Sequence, residues 1–181
     1  MNTGVRGFTI VEVMITLVVL GILISFGAPM FAEFMENQKT RAAADAVLNG
    51  LQVARAEAVQ RNLAVQFKLT AVPTSSWTVS ESVSGNVLQS RSADEGSASV
   101  VVTAVDILAN PVTTVTFSPI GGVTANADAS AAVRKIDLAN PRSPAGSARS
   151  LRVLVSGGGS LRMCDPNATV ATDPRYCPAT Y

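Results

Sequence analysis

Histidine is absent from this 181-residue chain. That removes the commonest general base and the commonest metal-binding side chain, so triads and zinc sites built on an imidazole are excluded. Cysteine is scarce: Cys164 and Cys177, both near the C-terminus, are the only two. Aromatic residues make up 5% of the sequence, which leaves a core to be built chiefly from aliphatics. No internal repeat is evident. The run Gly157-Gly158-Gly159-Ser160 lacks the lysine that follows in a phosphate loop and reads as a hairpin turn. Asp165 and Asp173 are too few to define a calcium site and are expected to be ordinary solvated loop acids. Asn167-Ala168-Thr169 fits a glycosylation acceptor, a triplet that chance supplies readily. These absences predict a protein that is not an enzyme and has no metal and no cofactor.

Charge is low and unevenly placed. The net charge is +1, but from Arg134 onward the chain has seven basic and three acidic residues. The C-terminal quarter is thus a mildly basic end. Apolar residues are uneven too. Residues 13–32 form a run of twenty with no charge. At about 1.5 Å per helical residue, this spans the ~30 Å hydrocarbon core of a bilayer. A helix buried in a soluble core is the alternative, and a run of this length at the N-terminus of a short chain argues against it. A cleaved secretory signal, cut within residues 25–28, would have a shorter apolar region of about 7–15 residues. Residues 1–7 are short and polar, with Arg6 their only charge. A positive flank holds that end in the cytoplasm and places the remainder outside.

Glu12 is the anomaly in this apolar helix. A carboxylate there costs up to about 3 kcal/mol on insertion scales, less near the interface, and such residues are usually paired or functional. The plainer reading places Glu12 at headgroup level. Before it stands Gly7-Phe8-Thr9-Ile10-Val11-Glu12. This segment resembles the processing site of type IV prepilins and type II secretion pseudopilins: a short basic leader ending in Gly, then Phe, three residues, Glu and an apolar run. The resemblance implies cleavage by prepilin peptidase after Gly7 and N-methylation of Phe8. It also implies that Glu12 pairs with the N-terminal amine of a neighbouring subunit during docking. Two charges that are costly alone in lipid offset each other when paired, and one stagger alone brings them together. Gly21 and Pro29 weaken the helix interior. In pilins similar to this one the stretch between such residues melts in the filament; a plain kink is the equal alternative.

Helical character continues to about residue 62. Val47, Leu51, Ala54 and Ala58 mark one apolar face, while Gln52, Arg55, Glu57 and Arg61 lie largely off it. Leu51-Gln52-Val53-Ala54-Arg55-Ala56-Glu57-Ala58 matches the L-x-x-A-R-[SA]-E-A segment of a narrower group. That group comprises the FimT and FimU minor pilins and the GspH pseudopilins. Beyond residue 62 the pattern becomes strand-like. Strands are expected at 63–70, 77–82, 87–90, 100–105, 113–117, 133–138, 151–155 and 161–164, with loops at 91–97, 119–132 and 140–148. The fold class implied is α+β: a type IV pilin-like fold with a long N-terminal helix packed on an antiparallel β-sheet domain. Four segments are expected: a leader at 1–7, a transmembrane and filament-core helix at 8–35, an amphipathic second half at 36–62, and an extracytoplasmic β-rich domain at 63–181.

An extracytoplasmic position predicts a bridge between Cys164 and Cys177, worth about 3 kcal/mol in the chain-entropy model; two free thiols are the alternative. DNA-binding FimT-like pilins have a C-terminal Gly-Arg-x-Arg motif. The matching positions here are Gly159-Ser160-Leu161-Arg162, with Ser in place of the first Arg. Arg149, Arg152, Arg162 and Arg175 could still form a phosphate-contacting patch, although only Tyr176 and Tyr181 are at hand to stack on bases. A solvated basic rim is the plainer reading.

The resemblance implies a minor pilin of a type IV pilus that enters through its N-terminal helix and helps prime or cap assembly. A DNA-uptake subunit and a GspH-like pseudopilin of type II secretion are the alternatives. The implied partners are major and minor pilins, prepilin peptidase, the inner-membrane assembly platform, the membrane before assembly and, in the second reading, DNA. The implied location is the inner membrane, single-pass with the C-terminal domain in the periplasm, then a pilus or pseudopilus at the cell surface.

Overall fold

The computed structural model describes residues 8–143 and 149–178, apart from the side chains of Phe26, Ala28 and Pro29. The chain divides into two compact units, Met1–Met35 and Glu36–Tyr181.

One helix, α1, runs Ile10–Arg61. It starts where Thr9 caps it: the Glu12 amide donates to Thr9 Oγ1 at 3.3 Å, and the Val13 amide to the Thr9 carbonyl at 3.2 Å. A Thr followed three residues later by Glu is a helix-start signature. It ends at Asn62, whose left-handed φ of 53° turns the chain. The Leu63 amide then reaches the Ala58 carbonyl and the Asn62 amide the Val59 carbonyl, which satisfies the last turn. Leu63 therefore belongs to the cap and not to the first strand.

In the first unit the large apolar side chains of α1, among them Ile10, Met14, Leu17, Leu20, Leu23 and Phe34, are exposed. In the second unit α1 buries a stripe of Thr40, Ala43, Ala44, Val47, Leu51, Ala54 and Ala58, at the three- and four-residue spacing of one helix face.

The β-domain contains two sheets. The first has the order β3-β2-β1-β5-β6, from β1 (Val65–Leu69), β2 (Trp77–Glu81), β3 (Val87–Arg91), β5 (Thr114–Phe117) and β6 (Val123–Thr124). The second has the order β4-β7-β8-β9, from β4 (Val101–Val105), β7 (Lys135–Ala139), β8 (Leu151–Val155) and β9 (Leu161–Cys164). All pairings between strands are antiparallel. One apolar cluster joins the helix stripe to Phe67, Val79, Val115 and Phe117 of the first sheet and to Val102, Ile136, Leu138 and Val153 of the second.

Two local expectations are corrected. β6 lies inside the segment read as a loop; two residues are too short to show a period, and the turn at Gly121 (φ 80°) folds them onto Thr116 and Phe117. β7 starts at Lys135, not at residue 133, because the two preceding residues cross between sheets. The Val133 amide donates to Thr114 O of the first sheet and the Arg134 amide to Val105 O of the second, both at 2.9 Å.

Candidate assembly site

The N-terminal group of candidate residues lies on and just before α1. Gly7 is outside the described residues. Phe8 precedes the helix and is 83% exposed. Glu12 stands in the first helical turn, exposed, with its amide on the Thr9 hydroxyl. The Thr9-x-x-Glu12 signature of this helix start is legible in the sequence. Gly21 lies within α1, and a side chain there would meet nothing within 4 Å. Pro29 also lies within α1, with its side chain outside the described residues. Exposed apolar side chains on this scale mark a surface that meets lipid or protein, and α1 is long and apolar enough to cross a membrane.

The second unit opens on a polar clasp. Glu36 Oε1 accepts from Lys39 Nζ at 2.6 Å. Its Oε2 accepts from Asn140 Nδ2 at 2.6 Å and from Ser99 Oγ at 3.1 Å. Lys39 first, then Asn140 and Ser99, hold this carboxyl below the ordinary carboxylate range against a smaller opposing effect of burial. The clasp ties the helix to the chain just before β4 and just after β7.

Arg55, read from sequence as a charge off the apolar face, has a specific partner. Its Nε donates to the Gly121 carbonyl at 3.0 Å, in the β5–β6 turn. That carbonyl also sits against the β8–β9 turn, since a Cβ on Gly159 would lie 1.9 Å from it.

The four C-terminal arginines do not share one environment. Arg152 forms a two-pronged pair with Asp137, at 2.5 and 3.1 Å. Arg175 pairs with Asp173 at 2.9 Å. Arg162 Nη2 donates to the carbonyls of Tyr176 (3.1 Å) and Pro174 (3.3 Å). Arg149 is fixed through its backbone amide, which donates to Asn37 Oδ1 at 3.1 Å. Cys164 and Cys177 are joined in a disulfide. Asp165 and Asp173 accept backbone amides of their own loop, from Asn167 and Arg175. Among the described residues no group of three or more carboxylates and cysteines could hold a metal ion. Tyr181 lies outside the described residues.

A family model described as Type II transport protein GspH matches residues 43–159, more than half of the chain. A second, the prokaryotic N-terminal methylation motif, matches residues 2–28. None of the curated proteins matches. Among solved structures, the fold is similar to the type IV minor pilin FimU of Pseudomonas aeruginosa. Identity to it is 19% and the TM-score 0.50, with 75% of this chain and 98% of that one covered. A second crystal form of FimU aligns at 18% identity and a TM-score of 0.47, covering 71% and 98%. With a methylation motif leading into an apolar helix, and with the GspH match running from that helix to the β8–β9 turn, this chain belongs to the GspH family of type IV pilin-like proteins.

Proposed function

We propose that this protein is a minor subunit of a type IV pilus, incorporated through residues 8–35 and helping to prime or cap the filament. The observation that supports this most is the exposed apolar half of α1 with one carboxylate, Glu12, in its first turn. In this reading prepilin peptidase cuts after Gly7, Phe8 becomes the methylated N-terminus, and the subunit waits in the inner membrane with its β-domain in the periplasm. On assembly the helix exchanges lipid for the helices of other pilins, and Glu12 meets a neighbour's N-terminal ammonium. Burying that pair in an apolar core is tolerable only when both members are present, so it selects one axial stagger. Deleting the gene and counting surface pili by electron microscopy, with a complemented control, tests the reading. Loss of pili supports a priming role, and unchanged pili overturn it.

A second reading, a pseudopilin of type II secretion, is favoured by the description of the family matched over residues 43–159. It predicts unchanged pili with secreted proteins retained in the periplasm. A DNA-uptake role would rest on the C-terminal arginines, three of which already bind acceptors of their own chain.

A further inference from the structure

Two open sheets have four edges; at two of them, β6 and β4, further backbone of the chain bonds to the edge strand, and at a third, β9, the C-terminal tail is tied on just past the strand. At β6, the Val123 amide donates to Gly157 O at 2.9 Å. At β4, the Val102 amide donates to Pro73 O at 2.7 Å, and Ala104 O accepts from the Val112 amide at 3.1 Å. Past β9, the Asp165 amide donates to Arg175 O at 2.8 Å, and the Cys164–Cys177 disulfide holds that tail in place. The fourth edge is β3. Among the described residues its backbone pairs with β2 alone. An edge of this kind presents unpaired N–H and C=O groups. Its side chains are largely exposed: Val87 is 63% accessible, and Val83, in the turn before it, 96%.

The edge is guarded without being covered. It is five residues long and has an irregular register opposite Val79 and Ser80, both of which discourage indiscriminate pairing. Five residues extend about 17 Å. One such strand cannot supply the roughly 1,200 Å² that stable association in solution requires. A free peptide or a free second copy is therefore a poor occupant. A strand held nearby at high effective concentration is a good one, and neighbouring subunits anchored side by side through their helices would meet that condition.

We propose that β3 is a docking edge that accepts an extended strand from the globular domain of a neighbouring pilin-like subunit, lengthening the five-stranded sheet across the subunit boundary. The proposal rests on the filament reading above. Main-chain hydrogen bonds would supply the attraction, with Val83 and Val87 meeting apolar side chains of the incoming strand.

Both native cysteines are consumed in the disulfide, so one introduced cysteine gives a single reactive thiol. The full-length Ser90→Cys chain, produced in cells that assemble filaments and treated with a short thiol–amine cross-linker, is expected to yield an adduct with a pilin-like subunit in sheared filaments. Thr103→Cys, on the closed β4 edge, is the control. Adding Val87→Lys should reduce the Ser90→Cys adduct several-fold and leave thermal unfolding of the chain unchanged. The docking edge is overturned if the Ser90→Cys chain is present in filaments and gives no more adduct than the Thr103→Cys control. It is equally overturned if Val87→Lys leaves the yield unaltered. Absence of the chain from filaments defeats the filament reading itself, a result distinguishable by blotting.

Discussion

Arg55 and Gly121 are 66 residues apart in sequence and are joined by a 3.0 Å hydrogen bond from the guanidinium Nε to the glycine carbonyl. The same carbonyl blocks any side chain at Gly159. Helix α1, the β5–β6 turn and the β8–β9 turn therefore meet at one point, where both sheets are referred to the helix.

Removing either side of this junction should be felt in stability. Arg55→Ala leaves a turn carbonyl without its charged donor, and a loss of about 1–2 kcal/mol is expected. Gly159→Ala should cost more, because it combines a left-handed φ of 80° with a backbone clash at 1.9 Å. Urea midpoints of the Glu36–Tyr181 unit would measure both. An Arg55→Ala midpoint equal to wild type would show the bond to be incidental.

Gly50 offers a contest between two effects. In a free helix Gly→Ala gains up to about 1 kcal/mol. Here a Cβ would lie 2.9 Å from the rings of both Phe67 and Trp77, which are themselves fully buried. Overpacking of this kind costs about 1–3 kcal/mol, so Gly50→Ala is expected to lower the thermal midpoint by circular dichroism. A raised midpoint would mean that the rings can retreat.

The Glu36 clasp predicts acid sensitivity with a definite sign. Its carboxyl is held low, chiefly by Lys39 and then by Asn140 and Ser99. Its contribution is therefore complete above the ordinary value near 4.5 and is lost as pH falls through the lower folded value. Glu81, Asp106, Asp128 and Asp173 are also held low, Glu81 mainly by Ser84 and Asp106 mainly by Asn110. Glu36→Gln should flatten the acid limb of the stability curve without abolishing it. Urea midpoints at several pH values below about 5 read this directly, and an unchanged slope would remove Glu36 from the balance.

The C-terminal arginines can be tested for two roles at once. Arg162→Ala should loosen the 174–176 carbonyls and expose the disulfide loop to protease. Arg152→Ala should leave Asp137 without its two-pronged partner and lower the midpoint. We expect neither the wild-type domain nor these variants to retain DNA in a gel-shift assay between about 50 and 200 mM salt. Salt-sensitive retention that these variants lose at unchanged stability would restore the DNA-uptake reading.

Glu12→Leu removes the charge and keeps an apolar helix. The variant should insert and be processed, yet be missing from sheared filaments. Normal incorporation would exclude the pairing role.

Much of the architecture could be read from local pattern. Val47, Leu51, Ala54 and Ala58 sit at helical spacing and are all fully buried. The glycine run between β8 and β9 does turn the chain, through Gly159 at φ 80°. Alternation tells which face of a strand is buried and not which strand lies beside it. The division into two sheets, with Val65 beside Phe117 and Thr103 beside Asp137, was thus hidden. Arg55 is exposed, as its place off the apolar face implies, but its acceptor lies 66 residues downstream, where helix spacing gives no sign of it. Arg152 and Arg162 looked available for the same reason, since Asp137 and the 174–176 carbonyls approach them only when the second sheet and its tail are in place.

Trp77 is the only tryptophan in the chain and is 1% exposed. It stands against α1 at Gly50, with its ring centroid 5.7 Å from that of Phe67. An indole lodged in this seam is screened from water only while helix and first sheet remain together. Its emission should therefore shift to the red when that seam opens. The isolated protein thus has a built-in optical gauge of helix release, with no label and no added residue.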